Sequence, residues 1–405
     1  MLNPEQSNVI VSLNVTNCQI LKSHQYLHVI IPVFVLVTSF SACKKQHRVS
    51  GTRSYSDSTS IAVNLNETSK ISVFDIFSKI SVIPLETDSN SVIEQISRVI
   101  PHNNRYYILD RKQSAVLIFD SNGNFEKKIQ KLGVGPGEYS LLYDFNINPF
   151  TNELELLNPR GELLSYTLDG EFISSLDIPM RNASKFLPIT EDMIIFYTSY
   201  EEEKLHYYSR SQDKILKKEF HFPETILSTP LIANNSSPFI KHGDQTTFFL
   251  GFSNEIYDID TSGIRLRFRW DFGEHNFDYR DLPEDKDPLY YVALLKSGNM
   301  AHSFYSYQEN QHIIMTRFAF DKQWVTLIYN KTNGESTIIR RFTEDIMPPS
   351  FPVLSEEEIL GFENSMMAHL FVNEFVVDEP SRSVLANLKP EDNPILIRYF
   401  FKNQK

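Results

Sequence analysis

The sequence predicts an all-β fold, a six-bladed β-propeller whose N- and C-terminal strands close the last blade. Three observations carry that prediction. From Ile71 onward, short β-branched and aromatic runs alternate with turns, and helical periodicity is nearly absent. Polar turns then recur at residues 119–125 ("FDSNGNF"), 166–172, 208–215, 259–265 and 329–336, each ending an apolar strand and closing on Gly or Asp. Their turn residues Gly123, Gly170, Asp213, Gly263 and Gly334 are spaced by 47, 43, 50 and 71 residues. A repeat of about 40–50 residues with four short strands is the pattern of a propeller blade. Finally, "KISVIPLE" (residues 79–86) and "NPILIRYFF" (residues 393–401) are strand runs that no full repeat uses. Joining them makes the sixth blade and removes two sheet edges.

Taken from the N-terminus, residues 26–45 hold the one long apolar run of the chain. It is shorter than the ~20 residues a spanning helix needs and has the size of a signal-peptide core. It ends in Phe40-Ser41-Ala42-Cys43, which resembles the bacterial lipoprotein box, in which small residues precede a cysteine that becomes lipidated. Residues 1–43 are therefore expected to be a lipoprotein signal peptide, with Cys43 as the lipidation site. The competing reading is an uncleaved membrane anchor. Either places the body in the cell envelope, lipid-anchored in the first case and facing the periplasm or the surface. Residues 44–70, polar and rich in Ser and Thr, read as a flexible tether, and residues 71–405 as the propeller. Cys18 and Cys43 are the two cysteines, so the body has no disulfide, cysteine–metal site or cysteine nucleophile. With 39 Lys and Arg against 51 Asp and Glu, a formal charge of −12, the chain repels phosphate backbones and nucleic acid is excluded as a partner.

Within the body, "KLGVGPGEY" (residues 131–139) links the first blade to the second. A phosphate cradle needs G-x-x-x-x-G-K-[ST], or G-x-G-x-x-G opening a helix. Here a proline intervenes, no lysine follows and a strand comes next, so the loop reads as a turn whose glycines supply positive φ. Residues 273–299 occupy the one long interval and read as an insertion between blades. Residues 355–369 are the helix candidate, with Ser355 as N-cap and Glu358 at the capping-box position. The runs at residues 106–139 and 391–402 resemble the six-bladed β-propeller lipoproteins common in Bacteroidetes, relatives of NHL-repeat propellers. That resemblance covers roughly residues 70–402. It implies the fold and an exported, lipid-anchored state, and little about activity.

Catalytic constellations are not found. "GFSNE" (residues 251–255) lacks the closing glycine of a nucleophile elbow, and the eleven histidines are scattered. Asp120, Asn122 and Asn124 imitate a calcium loop, but its sixth and twelfth positions hold Phe125 and Lys131, so the segment reads as a hairpin turn. Five carboxylates in residues 278–288 read as a solvated loop, against a calcium or cation site. In residues 264–272, Arg265, Arg267 and Arg269 share one face of a strand expected on the outer rim; an anion or sulfated-glycan site is the sharper reading. Asp144, Asn146 and Asn148 share one face of the strand expected innermost in the second blade, pointing to the central channel. With Arg98 they are the binding candidates, against a water-filled channel of satisfied polar groups. No catalytic residue, metal ligand or cofactor is assigned. The expected function is an exported, lipid-anchored binding module for an envelope protein, glycan or peptide, without catalysis. The alternatives are an extracytoplasmic metal-dependent hydrolase or lyase of NHL- or gluconolactonase-like type, and an accessory component of an outer-membrane nutrient-uptake complex.

Overall fold

The computed structural model describes residues 59–66, 70–222, 237–283, 286, 288–350 and 352–402. Cys43, the expected signal peptide 1–43 and most of the expected tether lie outside those residues. The described chain forms six sheets, antiparallel except where β1 joins one of them in parallel. Blade 1 is β3 (Ile96–His102), β4 (Arg105–Asp110), β5 (Ala115–Asp120) and β6 (Phe125–Ile129); blade 2 is β7 (Asp144–Ile147), β8 (Leu154–Asn158), β9 (Glu162–Tyr166) and β10 (Phe172–Asp177). Blade 3 is β11 (Ala183–Pro188), β12 (Met193–Thr198), β13 (Glu203–Ser209) and β14 (Lys214–His221). Blade 4 is β15 (Phe239–His242), β16 (Gln245–Phe249), β17 (Glu255–Asp260) and β18 (Gly263–Asp271), and blade 5 is β19 (His302–Glu309), β20 (Ile313–Phe320), β21 (Gln323–Asn330) and β22 (Ser336–Ile339). Blade 6 runs β23 (Val353–Leu354), β24 (Glu358–Glu363), β25 (Ile395–Phe401) and, outermost, the N-terminal β2 (Phe77–Pro84).

The apolar patterning explains why the six sheets form a ring. Middle strands are apolar throughout because successive side chains point to opposite faces, and each face meets a neighbouring blade. On β4, Tyr107 and Leu109 pack with Phe145, Leu154 and Tyr166 of blade 2. Tyr106 and Ile108 of the same strand pack with Leu360 and Leu396 of blade 6. Comparable cores join blades 2 and 3, 3 and 4, 4 and 5, and 5 and 6. Six interfaces make a closed six-bladed β-propeller. Around its axis, β3, β7 and β11 lie side by side, as do β15, β19 and β23.

The closure expected from the two ends is present. β2 pairs antiparallel with β25, from Phe77 opposite Phe401 to Pro84 opposite Ile395. The repeating turn residues also share one position, the hairpin between the third and fourth strands of blades 1 to 5. Gly123, Gly170, Asp213, Gly263 and Gly334 all have positive φ there, a conformation available to glycine and tolerated by aspartate. Asp120 caps the first of these hairpins, accepting from the N–H groups of Asn122 and Asn124 at 2.8 and 2.9 Å.

Four expectations change. The segment read as tether contains β1 (Ser60–Ala62), which pairs in parallel with β18 from Ser60 opposite Arg269 to Ala62 opposite Asp271. β18 is therefore covered rather than being the bare rim. The helix expected at residues 355–369 is β24 followed by a 3-10 turn, Ser365–Leu370. Ser355 does cap, accepting from the N–H groups of Glu357 and Glu358, but pairing with β25 buries Ile359 and Leu360 and outweighs helical propensity. Among the described residues the α-helices are instead α1 (Val73–Ile76), α2 (Pro288–Leu295) in the insertion, and α3 (Glu379–Asn387) between β24 and β25. In the loop at residues 131–139, Gly137 alone of the three glycines has positive φ. Gly133 serves a different purpose, since a Cβ there would lie 1.9 Å from the Glu138 carboxylate folded against it. The insertion expected between blades lies between β18 and β19 and places Phe277, Tyr279 and Leu295 in the core between blades 3 and 4.

Candidate functional site

Antiparallel pairing puts the starts of the innermost strands at one end of the channel and their ends at the other. Near the starts, β3, β7 and β11 bring Arg98, Asp144 and Lys185 together. Register shifts between Ile96 and Arg98 on β3, and between Ala183 and Lys185 on β11, re-aim both cations. Arg98 Nη1 donates to both Asp144 oxygens at 2.9 Å. Lys185 Nζ lies 3.4 Å from Oδ1, and the Phe186 N–H reaches Oδ2 at 3.3 Å. Asp144 is fully buried. Burial lowers the Lys185 pKa; the Asp144 charge opposes this, while Arg98 and Arg111 add to it. Removing the carboxylate strands two cations, so Asp144 acts first as a structural clamp across three blades.

The four candidates thus have different destinations. Asp144 is sealed behind Arg98. Asn148 is also buried: its Nδ2 donates to Glu155 at 3.0 Å, and its Oδ1 accepts from the Phe150 N–H at 2.9 Å. Arg210 closes that cluster at 2.5 Å from Glu155, tying blade 2 to blade 3. Arg98 and Asn146 do line the channel, in a cavity of about 350 Å³ walled by innermost strands of blades 1, 2, 4, 5 and 6. Asn146 Nδ2 and Ser306 Oγ are buried there without a hydrogen-bond partner. Lys241, on β15, is exposed within it. Ser306, Lys241 and Lys185 escaped sequence reading, since β19, β15 and β11 carried no polar alternation of the β7 kind.

The arginine row of β18 forms no free anion surface. Arg267 bridges to blade 5, its Nη1 and Nη2 donating to Glu309 at 2.7 and 3.0 Å. Arg269 lies 3.5 Å from Glu255, and Arg265 lies 3.2 Å from Asp260. Glu309 also accepts from Lys331 Nζ at 2.7 Å and Thr247 Oγ1 at 2.6 Å. Burial alone would raise its pKa; those donors overcome it and hold the carboxyl at about 2. On the other side of blade 5, burial pushes Glu363 up to about 7, opposed by contacts to Ser350 and the charge of Arg317. In the acidic insertion, Asp278 is held by Arg280 at 2.7 Å. Among the described residues, no three His, Cys, Asp or Glu side chains gather to hold a metal ion.

Against known families, the model of a domain of unknown function, DUF4934, matches residues 57–400. The chain belongs to that family. Among solved structures, this DUF4934 protein is similar to one from Bacteroides fragilis whose name describes it as exported. The TM-score is 0.69 at 19% identity, covering 86% of this chain and 100% of that one. A DUF4221 member from Bacteroides vulgatus gives a TM-score of 0.49 at 10% identity, covering 80% and 97%. Virginiamycin B lyase from Staphylococcus aureus gives 0.41 at 12% identity, covering 70% and 80%. No curated protein matches the DUF4934 chain significantly. The Bacteroides fragilis likeness supports the fold; the two weaker ones add nothing to it.

Proposed function

We propose that the protein is an exported, lipid-anchored propeller that binds a ligand at the bacterial cell envelope, taking it into the central channel without chemical conversion. The carrying observation is the cavity of about 350 Å³ whose wall holds buried, unpartnered donors on Asn146 and Ser306. That volume is in the range of small-molecule sites, and buried polar groups without partners are uncommon enough to ask for one. The Asp144 carboxylate does not favour the metal-dependent alternative, because two cations and a backbone N–H already occupy its oxygens.

A glycan and peptide screen, read by calorimetry, tests the binding half. A hit should be weakened at least tenfold by Asn146→Leu with the melting temperature unchanged. Hits indifferent to that change, or turnover of a bound compound, would overturn the reading. For the address, Cys43→Ser should abolish acyl labelling and release the protein from membranes; acylation that persists removes the lipoprotein assignment.

A further inference from the structure

The cavity wall contrasts with the rest of the molecule. The chain carries 51 acidic and 39 basic residues, yet among the described residues the charged side chains lining the cavity are Arg98 and Lys241, with no carboxylate. Asp144, the nearest counter-charge to Arg98, is fully buried behind it and shared with Lys185. Arg98 commits Nη1 to Asp144, and its side chain stays 18% exposed toward the channel. Lys241 sits near the opposite end, with its ammonium 5.7 Å from the Phe150 ring centroid. Between the two cations the wall is mixed, with apolar residues such as Val99 and Leu354 beside the polar Ser97 and Gln308. Asn146 and Ser306 line the wall too, and each has a buried polar atom without a hydrogen-bond partner.

From this charge pattern we infer that the channel selects organic anions, small carboxylates with an apolar body, over neutral or cationic molecules of the same shape. The inference rests on the channel-binding reading above and adds the ligand class. The physical reason is field focusing: a narrow, low-dielectric passage lined by one sign of charge concentrates counter-ions even when the whole protein repels them. A carboxylate gains charge-assisted hydrogen bonds from Arg98 or Lys241, while its alkyl body covers wall that water wets poorly. A cation meets repulsion at both ends and finds no acceptor of opposite charge on the wall.

The test uses three probes of one shape, octanoate, octanamide and octylammonium, titrated calorimetrically into the purified full chain at low ionic strength. Octanoate should bind at least tenfold more tightly than either comparator and weaken as salt is added. Lys241→Gln, at an exposed position with little bearing on folding, should weaken octanoate about tenfold and leave octanamide unchanged. Leu354→Trp, narrowing the cavity, should abolish octanoate binding. Octanamide or octylammonium binding as well as octanoate, in a manner lost with Leu354→Trp, would overturn anion selection and leave channel binding standing. Absence of binding by all three, or octanoate binding untouched by both substitutions, also overturns the inference. The channel reading itself falls only if the glycan and peptide screen likewise finds no channel-dependent ligand.

Discussion

Each of the two interfaces of blade 5 holds a buried carboxylate, Glu309 of blade 5 itself on one side and Glu363 of blade 6 on the other, and the two are held in opposite ways. Glu309, facing blade 4, receives hydrogen bonds from Arg267, Lys331 and Thr247, and its pKa falls to about 2. Glu363, on blade 6 and facing Arg317 of blade 5, has the Ser350 N–H at 3.4 Å, and its pKa rises to about 7. Arg317 is close by, but its Nη1 serves the Pro348 carbonyl at 2.9 Å and the Ser350 hydroxyl at 3.3 Å. Burial penalises both carboxylates. What differs is the number and charge of donors aimed at the oxygens, and that decides which state the fold prefers.

The strongest way to break the contrast is Glu309→Ala. It leaves the half-buried Arg267 and Lys331 without their shared partner, and should lower unfolding free energy by about 3 kcal/mol in urea denaturation. A smaller and oppositely signed effect is expected from Glu363→Gln. Because the folded pKa of Glu363 lies above the usual value of 4.5, its contribution is fully present below pH 4.5 and lost as pH rises through about 7. The variant should therefore match the parent near pH 4.5 and exceed it near pH 8, on the order of 2 kcal/mol. For Glu309 the sign reverses: its contribution is present above pH 4.5 and lost as pH falls toward 2. A Glu363→Gln stability difference that does not vary between pH 4.5 and 8 would remove the contrast. The finest adjustment is Thr247→Val, which takes one hydrogen bond from Glu309 and should cost about 1–2 kcal/mol at pH 7, shrinking as pH falls.

The same contrast explains what was legible in the sequence. The repeating hairpins were readable because their chemistry is local: an apolar strand end, a polar turn and a residue suited to positive φ at Gly123, Gly170 and Gly263. Closure was readable because residues 79–86 and 393–401 were strands without a repeat. The charge pairs were not. Glu309 meets Arg267 from 42 residues away and Asp144 meets Arg98 from 46, so no window contains both partners. Strict alternation also misled at the channel, where Asp144, Asn146 and Asn148 share a strand face but only Asn146 of the three lines the cavity. The bulges that aim Arg98 and Lys185 lie beyond any period-two rule. Ser355 showed the remaining ambiguity, since a serine that caps a turn before a strand looks like one that caps a helix.

The short β1 segment determines how the fold responds to mechanical load. The Arg269 N–H donates to the Thr59 carbonyl and the Val63 N–H to the Asp271 carbonyl, both at 2.9 Å. Farther along, the Thr343 N–H binds the Ile71 carbonyl, and Glu344 accepts from the Ser72 hydroxyl and the Val73 N–H. Only after these does the chain enter β2, the strand that completes blade 6. A tug on the N-terminus therefore meets the β1 ladder first and the Glu344 clasp second, before tension reaches the ring closure. These attachments stand in series between the N-terminus and the strand that closes the ring.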